Sequence, residues 1–264
     1  MAKSKKKPIA EMRAENLMML FVLLLFTVAR PVVADQSADP VKALSMARMN
    51  EDIVDHVILT VPDLAAGQKA LAEALGIEAS FGGNHPGLGT ANSLLSLGGR
   101  QYLEILGPQN DLAELPVLAA ALAAQSKSDI PTYAVAAEDL ELIKAHAEAA
   151  GITTSEISAG SRRTPEGVLL KWKGLYLLSE KYKGLVPFYI DWDDTPHPGE
   201  TSAQGATLRK ITVVHPDPAG LREIYHKLGI QVPIQYGNYP AITLEIEGEK
   251  GTITLIGTGQ GLGF

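Results

Sequence analysis

The feature that most constrains the fold is a repeated order of secondary-structure elements: one strand, one helix, then three strands. Strands are indicated by short runs of β-branched and apolar residues between glycines or prolines, and helices by longer runs with a capping residue and a terminal glycine. This order occurs three times, over residues 53–107, 131–193 and 207–257. A single sheet with one helix buries only one of its faces, so such a repeat predicts modules that pack together.

Each unit has the same local pattern. In the first unit, Asp63 is positioned to cap the predicted helix and Gly76 to end it. The phrases Leu75-Gly76-Ile77 and Leu228-Gly229-Ile230 stand at the same helix-to-strand junction of the first and third units. The predicted helices cover residues 64–75, 138–150 and 217–228. The predicted strands cover residues 53–61, 78–81, 92–97, 101–106, 131–136, 156–159, 168–172, 188–192, 208–214, 231–235, 241–246 and 252–256.

The N-terminal segment has the pattern of a secretory signal. A basic start precedes a largely apolar run of 13 residues and a small residue, Ala34. This pattern predicts cleavage after residue 34 and export to the periplasm or the medium. Because a membrane-crossing helix needs about 20 apolar residues, no stable span is expected after cleavage. The alternatives are an uncleaved membrane anchor and an amphipathic organelle signal. Residues 35–50 are predicted to be a tether, 51–200 a paired domain and 201–264 a third module.

Charge and cysteine content exclude several classes of function. The formal charge is −7, and removing residues 1–34 makes the chain more acidic, because that segment holds six basic and two acidic residues. An acidic surface repels phosphate backbones, so nucleic acid is not an expected partner. With no cysteine, the chain can form neither disulfides nor thiolate metal sites. Any metal would therefore bind His, Asp or Glu.

Two stretches of the first unit carry a family resemblance. They are Asp55-His56-Val-Ile-Leu-Thr-Val-Pro62 and the glycine-rich run from Gly82 to Asn92, followed by Tyr102-Leu-Glu104-Ile. These stretches are similar to the glyoxalase-like domains of the vicinal oxygen chelate superfamily. The resemblance implies an α+β fold in which repeated βαβββ modules form curved mixed sheets with the helices outside.

The resemblance also implies a metal site. Members of the superfamily place the first and fourth strands of a module side by side, which would bring His56 and Glu104 together as metal ligands. Imidazole nitrogen and carboxylate oxygen suit zinc, iron, nickel or manganese. The alternative is a hydrogen-bonded His–Glu pair with no metal. The equivalent positions are Thr132 and Ile190 or Asp191 in the second unit, and Lys210 and Thr254 in the third, so the four-ligand set of a glyoxalase is missing.

Other polar residues are candidates for the same site. His85 lies in a predicted glycine-rich loop beside Asn92, and both are candidate substrate-binding residues. Asp191 is a candidate ligand or base, with a strand-end aspartate as the alternative, and His197 is a candidate lid residue or part of a rigid turn. Arg162 and Arg163 are candidates for a fork that binds a carboxylate or a phosphate. The alternative is a basic turn without a ligand. Trp192 belongs to a group of aromatic residues that suits either a core or a ligand platform.

The sequence supports two functions. The first is a divalent-metal-dependent lyase, isomerase or dioxygenase acting on a small oxygenated metabolite, with Glu104 or Asp191 moving the proton. The alternative is a non-catalytic protein of the same fold that binds or sequesters a small organic ligand. The odd third module predicts a fold-back, a lid or a homodimer contact.

Overall fold

A computed structural model describes residues 54–109 and 111–263. The predicted export signal, residues 1–34, and the predicted tether, residues 35–50, lie outside the described residues. Within the described ranges, the helices are too short or too polar to cross a bilayer.

The first unit has the predicted order of elements. Asp63 caps the helix by accepting a hydrogen bond from the Ala66 amide at 2.9 Å, and Gly76 ends it with a left-handed φ of 81°. These two local signals explain why the helix bounds match the prediction. The elements are β1 (Val54–Thr60), α1 (Leu64–Leu75), β2 (Ser80–His85), β3 (Thr90–Gly98) and β4 (Gln101–Pro108).

The second unit repeats this order with additions. A short helix, α2 (Val117–Ala123), precedes it and another, α4 (Pro198–Thr201), comes after it; neither was predicted. Two of its strands, Thr153–Thr154 and Leu177–Leu178, form a small separate sheet. The elements are β5 (Tyr133–Ala136), α3 (Leu140–Ala149), β6 (Thr153–Thr154), β7 (Ser158–Arg163), β8 (Leu169–Leu175), β9 (Leu177–Leu178), a 3₁₀ turn (Lys183–Leu185) and β10 (Phe188–Asp191).

The first two units share one eight-stranded sheet in the order β2-β3-β4-β1-β5-β10-β8-β7. In each unit the first strand is parallel to the last, β1 to β4 and β5 to β10, and antiparallel pairing of β1 with β5 joins the two halves. The sheet curves until its edge strands β2 and β7 approach each other, at a contact we call the seam. There the Arg162 guanidinium donates a hydrogen bond to the Gly82 carbonyl. The prediction of paired α+β modules with a curved sheet is confirmed.

The third unit has the predicted order of elements but a different strand pairing. Its elements are β11 (Thr207–His215), α5 (Pro218–Lys227), β12 (Ile234–Tyr236), β13 (Ala241–Gly248) and β14 (Gly251–Gly257). Its sheet has the order β12-β11-β13-β14, so the first strand does not pair with the last. Lys210 and Thr254, treated as equivalent ligand positions in the sequence, both pair with Glu245 from opposite sides.

The two faces of the eight-stranded sheet have different roles. Its outer face packs against α1, α3 and the third unit to form the larger core. This core contains residues such as Leu75, Leu95, Tyr133 and Leu244. Its inner face carries a smaller apolar cluster that includes Ile58, Leu94 and Phe188, and the candidate site residues lie among these. The outer face therefore supplies most of the buried apolar residues, and the inner face combines a smaller apolar cluster with the candidate site residues.

Candidate functional site

The centre of the site is formed by one side chain from β1 and one from β4. Parallel pairing sets His56 opposite Tyr102 and Ile58 opposite Glu104. The imidazole of His56 and the carboxylate of Glu104 thus meet on the inner face, with His56 Nε2 3.7 Å from Glu104 Oε2. Both residues are buried. The adjacency that the family resemblance implied is present.

A β-bulge directs the neighbouring Asp55 toward the same group. Between Val54 and His56, β1 advances by two residues while its partner β5 advances by one, so Asp55 is the extra residue. Strict alternation along β1 predicts Val54 on the same face as His56. The structure corrects this, because Val54 packs in the outer core. The bulge is the physical reason that Asp55, which sequence reasoning missed, joins the site.

Asp55 holds the imidazole of His56 in a defined orientation. Its Oδ1 atom lies 2.7 Å from His56 Nδ1, which favours the tautomer with the proton on that nitrogen. The lone pair of His56 then lies on Nε2 and faces Glu104. The ring stacks on Tyr102, with centroids 4.7 Å apart and an interplanar angle of 21°. Such a carboxylate–histidine pair orients metal ligands and general bases alike.

The other oxygen of Asp55 binds His197 on the segment that precedes α4. His197 Nε2 lies 2.9 Å from Asp55 Oδ2, and the Trp192 indole N–H donates to Asp55 Oδ1 at 3.3 Å. Burial by itself would raise the pKa of Asp55, but the hydrogen bonds from His197 and His56 outweigh it and lower that pKa to about 2. His197 also accepts from the Gly199 amide through Nδ1. It is therefore a buried support for Asp55, in the turn that precedes α4, where the sequence allowed either a lid residue or a rigid turn.

His85 and Asn92 approach Glu104 from the other side. The Asn92 amide donates to Glu104 Oε1 at 2.7 Å and lies 3.4 Å from His85 Nε2, which is itself 3.9 Å from Glu104 Oε1. Thr90 Oγ1 lies 3.0 Å from His85 Nδ1. Burial lowers the pKa of His85, an effect that the Glu104 charge opposes and the Arg162 charge adds to. His85 is the last residue of strand β2 and does not lie in the predicted loop, because the strand continues through Gly82 and Gly83.

The two neighbouring arginines point in opposite directions. Both lie in strand β7, which extends past its predicted end, so their side chains alternate across the sheet. Arg162 is 3% exposed and reaches the inner face, whereas Arg163 is exposed and donates to the Gly167 carbonyl. The predicted two-arginine fork is therefore wrong, and only Arg162 belongs to the site.

The second unit supplies the apolar half of the inner face. Phe188, Ile190, Trp172 and Trp192 line it, and Trp172 and Trp192 lie with ring centroids 5.5 Å apart. Ile190 and Trp192 face inward, so Asp191 points to the opposite face, where its Oδ1 accepts from the Asp193 amide. Asp191 is thus removed from the candidate bases by strand alternation.

The donor set suits a divalent metal only in part. Two imidazoles and one carboxylate are ligands that zinc and iron accept. His56 and Glu104 can act together, but the Asn92 amide occupies the space between His85 and Glu104. Among the described residues, no group of three or more His, Asp or Glu side chains has the spacing of a formed metal site.

Comparisons with known proteins agree with this architecture. The model of the family described as "Glyoxalase-like domain" matches residues 54–229. A solved structure of a hypothetical protein from Staphylococcus aureus has a TM-score of 0.51 at 14% identity, covering 78% of this chain and 85% of that chain, and shows the fold. No protein in the curated set matches the chain.

Methylmalonyl-CoA epimerases are among the more distant structural neighbours. The enzyme from Mycobacterium tuberculosis has a TM-score of 0.39 at 16% identity, covering 55% of this chain and 89% of that chain. A variant of the Streptomyces coelicolor enzyme in complex with 2-nitronate-propionyl-CoA has a TM-score of 0.39 at 17% identity, covering 52% and 95%.

Proposed function

This chain belongs to the glyoxalase-like domain family, and we propose that it is a lyase or isomerase that moves a proton on a small oxygenated metabolite bound at the inner face of the sheet. The observation that carries this proposal is the buried His56–Glu104 pair, with 3.7 Å between Nε2 and Oε2. A carboxylate beside an oriented imidazole, in a site that excludes water, is an arrangement suited to proton transfer. The aromatic half of the inner face would hold the remainder of the substrate.

Each residue of this group has a role in the proposed reaction. Glu104 moves the proton, and the Asn92 hydrogen bond holds its carboxylate in place. His56 keeps its Nε2 lone pair directed at the reacting centre because Asp55 binds the opposite nitrogen. His85 presents a neutral imidazole near Glu104, since burial disfavours its charged form. These groups are buried, so they act on the substrate in a medium of low dielectric constant.

We further propose that His56 and Glu104 are the residues that would hold a divalent metal. The metal would polarise a substrate carbonyl and stabilise the negative charge that develops on its oxygen. The support is the donor chemistry of the pair together with the Asp55 contact, which resembles the outer contacts of metal-bound histidines. The second and third units add no ligand to this pair.

The test combines metal content with proton exchange. Protein purified without chelators would be assayed by elemental mass spectrometry, and α-proton exchange of small 2-oxo and 2-hydroxy carbonyl compounds would be followed by NMR in heavy water. We expect Glu104→Gln to abolish exchange and His56→Ala to lose the metal. The matched controls are Glu78→Gln and His226→Gln, because both side chains are exposed. Exchange that persists in Glu104→Gln would contradict the assigned role.

A second candidate is a binding protein of the same fold without turnover. It is favoured by the apolar inner face of the second unit, where Phe188 and Ile190 stand on the strand that pairs with β5. The same samples separate the two functions. Stoichiometric binding of a compound that is recovered unchanged, without exchange, supports the binding protein, whereas steady exchange supports the enzyme.

A further inference from the structure

We propose that the substrate carries a single carboxylate, which binds in a cleft beside the seam of the sheet to the guanidinium of Arg162 and the hydroxyl of Ser202. This inference rests on the proposed function for the position of the reacting centre and adds the chemical class of the substrate. The cleft has a volume of about 210 Å³. That is smaller than the 300–1,000 Å³ usual for drug-sized ligands, so it suits a small acid.

The first observation is a buried positive charge without a direct ion-pair partner among the described residues. Arg162 is 3% exposed, and no carboxylate of the described residues lies within ion-pair distance of its guanidinium. A guanidinium has five N–H donors, and the Gly82 carbonyl takes one of them. Because a buried charge is costly unless it is paired, the arrangement favours an anionic ligand.

The second observation is independent of the arginine. Ser202 is 8% exposed, and its Oγ atom has no hydrogen-bond partner among the described residues. Ser202 comes directly after α4, whereas Arg162 lies in β7, yet both line the same cleft. A hydroxyl in the same cleft as a guanidinium can supply the additional donor that a bound carboxylate oxygen needs.

The remaining lining of the cleft selects the part of the substrate attached to the carboxylate. Leu94, Leu170 and Pro196 make most of the wall apolar, and the carboxylate of Glu166 stands exposed at the rim. The Arg162 guanidinium donates to the Gly82 carbonyl on β2, which pairs with β3 next to Asn92. Asn92 in turn donates to Glu104, so the cleft adjoins the proposed reacting centre. An acid with a short apolar body can therefore reach from Arg162 into the inner face.

The charge balance favours a carboxylate over a phosphate. A phosphate monoester carries close to two negative charges at neutral pH and three acceptor oxygens. One guanidinium neutralises one of these charges, and the second would face the Glu104 carboxylate nearby. A monocarboxylate brings one negative charge fewer beside Glu104, so it is repelled less than a phosphate.

The experiment uses a carboxylate that cannot chelate a metal, so that its result does not depend on the proposed reaction. Binding of 4-methylpentanoate, 4-methylpentanamide and propyl phosphate to the chelator-treated chain would be measured by calorimetry. We expect saturable binding of the acid and at least about tenfold weaker binding of the amide and of the phosphate. The absence of saturable acid binding, or equal affinity for acid and amide, would overturn the proposal.

Variants assign the effect to the two side chains. Arg162→Met is expected to weaken acid binding at least about tenfold, Arg162→Lys less, and Ser202→Ala about threefold. Arg163→Met is the matched control, since it removes the same charge from the next position of the strand but on the opposite face. The subsite is wrong if Arg163→Met weakens acid binding as much as Arg162→Met does. It is also wrong if the double variant Arg162→Lys/Ser202→Ala binds the acid as tightly as the unmodified chain.

The failure of this inference can be distinguished from failure of the proposed function. Glu104→Gln is expected to retain acid binding while losing proton exchange. Retained exchange in Glu104→Gln together with normal acid binding would overturn the function and leave the subsite. If Glu104→Gln loses proton exchange but the Arg162 variants bind the acid with unchanged affinity, the subsite alone is overturned.

Discussion

His197 Nε2 and Asp55 Oδ2 lie 2.9 Å apart although 142 residues separate them along the chain. This contact fastens the segment before α4 to the bulge in β1, directly beside the proposed reacting centre. Both side chains are 2% exposed, so the interaction is shielded from water. The orientation of His56 therefore depends on a residue from the far end of the paired units.

The contact predicts a stability that depends on acid pH. A folded-state pKa of about 2 for Asp55, against 3.8 ordinarily, contributes on the order of 2 kcal/mol to the free energy of unfolding. Because this pKa is lowered on folding, the contribution is present above pH 4 and is lost as the pH falls toward 2. We expect Asp55→Asn to destabilise the protein by about 2 kcal/mol at pH 7, measured by urea unfolding.

The control for Asp55 is another aspartate with a lowered pKa. Asp217 pairs with Lys181 at the surface, where solvent screens the interaction. Asp217→Asn should change the unfolding free energy little at either pH. A deficit in Asp55→Asn that is as large at pH 3 as at pH 7 would show that the loss comes from packing and not from the charge.

The burial of His85 predicts a second pH dependence of stability, which comes from a base and not from an acid. Its pKa is lowered by burial, so the unfolded chain binds its proton more tightly than the folded chain does. Stability from this residue is full above the ordinary pKa of 6.5 and falls as the pH drops below it. We expect His85→Gln to flatten the loss of stability between about pH 6.5 and 5.

The titration of His85 can be observed directly. In NMR spectra of the ring protons, His85 in the folded protein should titrate at a lower pH than in the same protein unfolded in urea. A midpoint at or above that of the unfolded protein would contradict the neutral imidazole assigned to the site.

How far the sequence predicted this site depends on local signals. Asp63 and Gly76 fixed α1 because caps act within one turn, and the parallel contact of His56 with Glu104 was implied by the family resemblance. Asp55 was missed because alternation places it opposite His56, and only the pairing with β5 reveals the bulge. The strand pairing of the third unit was also beyond reach, because element order does not determine which strands become neighbours.

The seam of the sheet predicts an effect of glycine replacement. Gly83 has a φ of 142°, and an added Cβ would stand 2.4 Å from the Arg163 carbonyl on the opposite edge strand. Since the carbonyl is backbone, the clash can be relieved only if β2 and β7 separate. We expect Gly83→Ala to lower the free energy of unfolding by about 1–3 kcal/mol and to weaken ligand binding at Arg162.

Gly87 provides the control for this replacement. Its φ of 83° also disfavours a side chain, but no atom lies within 4 Å of an added Cβ. Gly87→Ala therefore reports backbone strain without a clash. Equal losses in the two variants, measured by thermal unfolding and calorimetry, would show that the seam contributes nothing.

Helix α5 of the third unit is bound to the paired units through a buried hydroxyl. Tyr225 lies with its hydroxyl 2.7 Å from that of Tyr133 and donates to the Leu185 carbonyl. Tyr225→Phe leaves both partners buried and without this contact, which should cost about 1–3 kcal/mol. The matched control is Tyr236→Phe, since Tyr236 is 69% exposed.

The same packing predicts that the third unit is not dispensable. Ile211, Leu221 and Leu244 belong to the core that also contains Leu75 and Tyr133. Removing residues 207–264 would expose this apolar surface, so we expect the shortened chain to aggregate or to lose its cooperative unfolding transition. A shortened chain that stays monomeric, unfolds at the same urea concentration and binds 4-methylpentanoate normally would show that the third unit is an accessory.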